Sequence, residues 1–303
     1  MNIGVQIERF KLISNYMKND KYRKSFNELA IKTFNIDFDK WFKEGLLNEN
    51  YINYSFLCED KVVANVSVNK FFIIYNGQIH KSIQIGTVMT KEEYRNKGLI
   101  RKLMDKILKE YEEYDLIYLF ANKSVLDFYP KFGFKRVIEG KYEMNTNQIE
   151  HIQLNNNNIM KLNLEKNEHK RIIKKIAQKR IAISQKLCAI KDMWPLYVYC
   201  NYEFRDELYY LKQEEIIVIL KRENDVVELY DILSENDFDL DRVICQIIKK
   251  EDKRLKFKFV PDSTKSKYIF DFELIDKTED YLFILEGKET LSDGILFPIT
   301  SHT

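Results

Sequence analysis

The chain has 303 residues, 45% of them hydrophobic and 14% aromatic, with only nine glycines and four prolines; this excludes a disordered or fibrous protein and implies cores in two domains or one large one. Forty-nine basic side chains against 47 acidic ones leave a formal charge of +2, too little for a general grip on nucleic acid or anionic lipid, so any anion is bound locally. Cys58, Cys188, Cys200 and Cys245 form no CxxC pair, and His80, His151, His169 and His302 fall at no metal-ligand spacing, so free thiols and no metal are expected.

Met1 to Arg9 lack the basic segment, apolar run and small-residue site of a secretory signal, and no stretch reaches the ~18 uncharged apolar residues of a membrane span. A cytoplasmic protein with no membrane partner is expected. Up to residue 48, Phe26, Leu29, Ala30, Thr33 and Phe34, then Phe38, Trp41, Phe42 and Leu46, recur at helical spacing and predict two amphipathic helices. Trp41 and Phe42 read either as core or as the lining of an acceptor site. Strands follow at Tyr54–Cys58, Val62–Tyr75 and Ile79–Thr90, the last two joined by Asn76-Gly77, a pair that favours positive φ and an antiparallel hairpin.

The polar segment 91–98 leads into a helix in which Leu99, Leu103, Ile107 and Leu108 share a face. Leu116–Ala121 is a short, continuous apolar strand, Val125–Phe132 suits a short helix containing Pro130, and Gly133-Phe134 starts another strand. The order defines an α/β domain, α+β in detail, built on a mixed sheet. Between Asn145 and Asn158 the chain turns polar and asparagine-rich, which places a boundary near residue 150 and gives domains 1–150 and 151–303.

Beyond it, Lys166–Lys191 reads as a basic helix with a solvated face, and strand-like runs occupy Glu215–Leu220 and Val226–Tyr230. A helix at Asp239–Ile248 and strands at Leu255–Val260, Tyr268–Leu274 and Tyr281–Leu285 complete an order that repeats the first half. The loop Ser234–Asp241 in the repeat has four carboxylates and no glycine, so it complements its own helix dipole and repels a phosphate.

The first half differs at this position. Gly86-Thr87-Val88-Met89-Thr90 closes a strand, and Arg95-Asn96-Lys97-Gly98-Leu99-Ile100-Arg101 opens a helix. A helix start leaves backbone N–H groups unpaired and carries partial positive charge, so a turn with close backbone approach at Gly98 makes a diphosphate cradle, and Arg95, Lys97 and Arg101 add charge. Taken alone, the stretch reads equally as a solvated turn. After the next strand come Asn122, Tyr129, Gly133 and Phe134, spaced Asn-x6-Tyr-x3-Gly-Phe.

Together these residues resemble the GNAT acetyltransferase superfamily over about residues 20–145, through IGTVMTKEEYRNKGL and LFANKSVLDFYPKFGF. The departure is Ile100, a branched residue where the family's loop has a second small one. The resemblance implies the GNAT-like acyl-CoA N-acyltransferase fold, in two similar tandem domains if the repeat holds. It also implies transfer from acetyl-CoA to a primary amine, on a small molecule or peptide, by direct attack and without a metal. Val88, Met89 and Thr90 would meet the pantetheine arm between the parted fourth and fifth strands; Arg95 to Arg101 and Asn122 would complete the CoA site. Tyr129 matches the acid that protonates the leaving thiolate, although between Phe128 and Phe132 it also reads as a packed aromatic.

No histidine or carboxylate lies on Ile83–Thr90 to serve as base. His80, ~20 Å along the strand from the expected reaction centre, reads as a surface residue. The run Phe297–Thr303 is apolar enough to dock, and it is similar in this to Eis-like acetyltransferases, which use the chain-terminal carboxylate; His302 and the Thr303 carboxylate are therefore candidate bases, with a frayed tail as the alternative. A non-catalytic CoA-sensing or protein-interaction module is the rival to an enzyme. The acceptor and the oligomeric state are left open.

Overall fold

The computed structural model describes residues 10–149, 158–191, 194–276 and 279–303. An edge strand, β1 (Lys11–Ser14), precedes the expected helices α1 (Asp20–Phe34) and α2 (Phe38–Lys43). Asn19 and Asp37 cap these helices, each side chain accepting a backbone N–H, from Tyr22 and Lys40. β1 is four residues long and mostly exposed, too short to show an alternation in sequence. Strands β2 (Tyr51–Cys58), β3 (Lys61–Tyr75) and β4 (Gln78–Thr90) follow as an antiparallel meander. Asn76 and Gly77 both take positive φ at the hairpin between β3 and β4.

Helix α3 (Leu99–Glu110) buries Leu99, Leu103, Met104 and Ile107 against Ile83 and Ile85 of β4 and Ile117 and Leu119 of β5 (Leu116–Asn122). The helix expected over 125–132 is instead two 3-10 turns, at Lys123–Val125 and Tyr129–Phe132. Pro130 has no N–H to donate back to Leu126, which interrupts an α-helical ladder. Strands β6 (Phe134–Val137) and β7 (Glu139–Asn145) end the first half.

The second half runs β8 (Ile159–Lys161), α4 (Asn167–Lys179), β9 (Leu187–Ile190), α5 (Trp194–Asn201), β10 (Leu208–Leu211), β11 (Ile216–Glu223), β12 (Val226–Leu233), α6 (Leu240–Ile247), β13 (Arg254–Phe257), β14 (Asp271–Ile275) and β15 (Asp280–Leu285). The basic helix expected to reach Lys191 stops at Lys179, and Leu187–Ile190 is a strand paired with β3 from Phe72↔Ile190 to Tyr75↔Leu187. Leu-Cys-Ala-Ile is buried throughout, and such a short apolar run does not reveal by periodicity whether it is strand or helix.

Two sheets result, ordered β1-β2-β3-β4-β5-β15-β6 with β9 on β3, and β14-β7-β13-β12-β11-β10-β8. Each has a parallel central pair, β4–β5 and β12–β13, next to an antiparallel pair with a register shift. Apart from β9, which has no counterpart, the second sheet repeats the order of the first. The innermost late strands are exchanged: β15 sits between β5 and β6, and β7 between β13 and β14. The expected boundary at 150 thus divides the sequence without dividing the sheets; residues 150–157, with His151 and Asn155 to Asn157, lie outside the described residues.

A shared core joins the halves. Leu116 and Tyr118 of the first sheet, Ile217, Ile219 and Leu233 of the second, and Phe297 near the C-terminus belong to one buried cluster, and each such side chain stabilises the assembly by ~1.5–3 kcal/mol. Among the described residues no helix is long and apolar enough to cross a membrane.

Candidate active site

β4 and β5 pair only from Ser82↔Leu116 to Ile85↔Leu119, although β4 continues to Thr90 and β5 to Asn122. Past Ile85 the two strands part. At the same place β4 bulges, because Ser67 faces Gly86 and Asn65 faces Met89, leaving Thr87 and Val88 opposite one residue of β3, with Thr87 at φ 48°. The Met89 side chain is buried in the core beside α1, so its backbone is what it can offer; Val88 and Thr90 are half-buried.

The turn before α3 stands close by in sequence. Gly98 has φ 73° and caps α3 without any side-chain hydrogen bond, and the first turn holds no acidic residue. The first helical bond runs from the Lys102 N–H to the Gly98 carbonyl at 3.2 Å, so the N–H groups of Leu99, Ile100 and Arg101 precede the ladder. A Cβ placed on Gly98 would meet nothing within 4 Å, and Ile100 is half-buried against the core beneath α3. The space over the turn is open. Arg95, Asn96, Lys97 and Arg101 are exposed around it, with Lys97 Nζ 4.9 Å from the Tyr94 ring and the Arg101 guanidinium 5.1 Å from that of Phe132.

Asn122 sits where β5 ends, its Oδ1 accepting from the Ser124 N–H at 3.0 Å and the Ser124 hydroxyl at 2.5 Å. Tyr129 is 6% exposed, its ring 5.3 Å from Phe128, 6.2 Å from Phe134 and 6.0 Å from Phe283 of β15. Burial pushes its hydroxyl up to about 12. The ring packs, yet among the described residues the hydroxyl has no hydrogen-bond partner.

The C-terminal run is docked, which overturns the frayed-tail alternative. Phe297 stacks on Tyr118 at 4.8 Å, and His302 on Phe120 at 3.7 Å. Thr303 Oγ1 accepts from Asn69 Nδ2 at 2.7 Å and donates to Gln84 Oε1. The main-chain oxygen of Thr303 and its Oγ1 each lie 3.0 Å from the point where Gly86 would carry a Cβ. The tail therefore ends one residue short of the bulge. Burial drives the His302 imidazole down to about 3, with a backbone hydrogen bond at Phe297 opposing, and its Nε2 has no partner among the described residues. His80 is not a surface residue: it is 8% exposed at the far end of β4, its Nδ1 3.8 Å from Glu289.

A buried polar row on β2 and β3 lies outside the residues singled out from the sequence. Tyr51, Asn53 and Ser55, and Asn65, Ser67 and Asn69, alternate with other residues and are all buried. Ser55 donates to Asn65 Oδ1 at 2.7 Å; Asn65 Nδ2 donates to the Ser67 hydroxyl at 2.9 Å and to the Thr87 carbonyl at 2.8 Å. Ser67 donates to the Tyr51 hydroxyl at 2.9 Å, which lies 3.2 Å from Thr87 Oγ1. Trp194 Nε1 donates to Asn69 Oδ1 at 2.8 Å, and Trp41 stands 6.2 Å from Trp194. The detectable signal was Asn-Val-Ser-Val-Asn on β3, a polar face at strand period. Asn53 Oδ1, Gln84 Nε2 and the Tyr118 hydroxyl are buried without partners among the described residues, each costing ~1–3 kcal/mol unless something bonds to it.

In the second half the equivalent helix start is closed. Asp239 accepts the Arg242 N–H at 3.2 Å, and Asp241 accepts the Ser266 hydroxyl and the Lys267 N–H. One of its leading N–H groups is thus answered by the N-cap side chain, and Asp241 adds negative charge to the first turn.

Residues 17–137 match the family model described as an acetyltransferase (GNAT) domain. Over 116 residues the chain is 27% identical to a protein of Amsacta moorei entomopoxvirus that bears the name of a glycylpeptide N-tetradecanoyltransferase; the match covers 35% of this chain and 39% of the relative, so the chain spans well under half of that curated protein. Among solved structures, a conserved protein of unknown function from Enterococcus faecalis V583, described as a probable N-acyltransferase, is similar with a TM-score of 0.59 at 16% identity, covering 91% of this chain and 72% of the other. Eis1 from Mycobacterium abscessus gives 0.56 at 10%, covering 90% and 73%. At these identities the structural likeness speaks to fold, and it extends over both halves.

Proposed function

Residues 17–137 of this chain are a GNAT acetyltransferase domain, and from that premise we propose that the protein transfers an acetyl group from acetyl-CoA to a primary amine by direct attack. The observation that carries the reading is the parting of β4 and β5 beyond Ile85 and Leu119 beside an open, uncapped helix start at Gly98. The residues suit the cosubstrate. The N–H groups of Leu99, Ile100 and Arg101 would hold the diphosphate, with Arg95 and Lys97 near it. The free edge of β4 over Val88–Thr90 would bond the pantetheine amides and polarise the acyl carbonyl through a backbone N–H.

An alkylamine is mostly protonated at neutral pH and must lose that proton before it attacks. The Thr303 carboxylate, one residue from the bulge, is the base in this reading. His302 suits the task less, because an imidazole held at about 3 binds a proton weakly near neutral pH. Tyr129 stays protonated, with its hydroxyl unbonded among the described residues, and is the donor to the departing thiolate. The unpartnered groups along the buried polar row would orient the acceptor beside the bulge. The reading is tested by thermal shift with acetyl-CoA and by thiol release over a panel of amines. A protein that neither shifts nor releases thiol is not this enzyme, and one that shifts without releasing thiol is the CoA-sensing module.

The name of the entomopoxvirus relative supports a second reading of the same chemistry, in which the acyl group is tetradecanoyl and the acceptor is a glycyl peptide. Parallel assays with tetradecanoyl-CoA and a glycyl peptide decide between the two.

A further inference from the structure

The second half of the chain caps its own helix start with Asp239, yet it holds the segment that ends in the first half's site. Arg180, between α4 and β9, and Asp231, on β12, form an ion pair at 2.9 Å with side chains 2% and 0% exposed. The Thr300 hydroxyl donates to the same Asp231 oxygen at 2.5 Å, while the other oxygen accepts the Ile232 N–H at 2.8 Å. Thr300 is completely buried and belongs to the turn Ile299–Ser301. Three residues later Thr303 bonds Asn69 and Gln84 of the first sheet.

Asp231 has a telling place in the repeat. β11 and β12 shift register between Ile219 and Leu220, where Asp231 faces Ile219 and Leu229 faces Leu220. β3 and β4 shift in the same way around Thr87 and Val88. Directly beside the second half's bulge, whose extra residue is Tyr230, thus stands a buried carboxylate held by Arg180, the Ile232 N–H and the Thr300 hydroxyl of the tail. We infer that Arg180, Asp231 and Thr300 position the chain terminus over Gly86, so that the second half serves the reaction by fixing the base; this rests on the proposed role of the Thr303 carboxylate. Asp231 and Thr300 touch none of the reacting atoms and act as positioning residues.

The test compares Thr300→Val, which removes the hydroxyl but leaves Asp231 paired with Arg180, with Thr300→Ser, which keeps it. Two readouts are taken on the full chain: the rate at which a carboxypeptidase releases Thr303 and His302, and kcat and KM with acetyl-CoA. Positioning predicts that the valine variant melts near the wild-type temperature, is trimmed at least ~10-fold faster, and loses ~10-fold or more in kcat at unchanged KM for acetyl-CoA. The serine variant should restore both. A valine variant trimmed no faster than wild type overturns the inference whatever the protein catalyses. Faster trimming with undiminished kcat refutes the Thr303 base, and the positioning role with it.

Discussion

Thr303 rests directly on Gly86, its main-chain oxygen and its hydroxyl each 3.0 Å from where a Cβ would stand. Gly86 is needed here for close approach, since its φ is not positive. Gly86→Ala should push the terminus off β4 by a few tenths of an ångström or more; a kcat reduced ~10-fold with KM for acetyl-CoA within ~2-fold is expected. Steady-state kinetics on the purified variant checks this, and an unaltered kcat would place the base elsewhere.

Gly98 is constrained by conformation rather than by crowding. Its φ of 73° costs a side-chain-bearing residue ~1–2 kcal/mol, and a β-branched side chain would stand in the open space above the turn. Gly98→Val is expected to raise KM for acetyl-CoA at least ~10-fold, with a matching loss of CoA affinity by calorimetry.

Tyr129→Phe removes a hydroxyl that bonds nothing among the described residues and leaves the packed ring in place. The melting temperature should hardly move, and kcat should fall ~10²-fold if the hydroxyl is the acid. With its hydroxyl at about 12, Tyr129 contributes no alkaline limb to the rate profile below that pH. Wild-type turnover in the variant would return Tyr129 to a packing role.

Stability should respond to pH through two buried groups of opposite sense. His302 is lowered from 6.5 to about 3 by burial, so the unfolded chain binds the extra proton. Stability from this source is complete above pH ~6.5 and is lost as pH falls toward 3, a full effect on the order of 5 kcal/mol. Glu139 is raised from 4.5 to about 7, by burial first and by Asp280, against a backbone bond at Phe297. There the folded chain binds the extra proton, so its contribution is present below pH ~4.5 and is lost as pH rises through 7. His302→Phe should flatten the acid side of a stability-versus-pH curve and Glu139→Gln the neutral side, as measured by denaturant unfolding.

The uncapped helix start and the segment after β5 were legible as elements because each has a local signal. Gly98 follows basic residues and precedes an amphipathic run, and Asn122 and Tyr129 stand at fixed spacing beyond the next strand. The repeat was legible from element order. What escaped was non-local. Nothing in Asp280–Leu285 reveals that this strand lies between β5 and β6, because an apolar strand fits any gap of its length. Leu187–Ile190 carries too few residues to separate strand from helix, and Asp231 reads as an ordinary polar residue until the fold brings Arg180 and Thr300 to it.

A fragment comprising residues 1–150 lacks β9 and β15, leaving one edge of β5 and the apolar face around Leu116 and Tyr118 uncovered. Such a fragment is expected to aggregate or to stay molten by circular dichroism and gel filtration.

The exchange of β7 and β15 also dictates a schedule. A chain made from its N-terminus has β5 and β6 ready long before residue 285, with a vacant lane between them, while β7 waits for β13 to arrive. Neither half can mature ahead of the other during synthesis, and contacts this distant in sequence close slowly. The nascent polypeptide consequently cannot complete its first sheet until residue 285 has left the ribosome, and chaperone dependence in the cell should be read off that joining step.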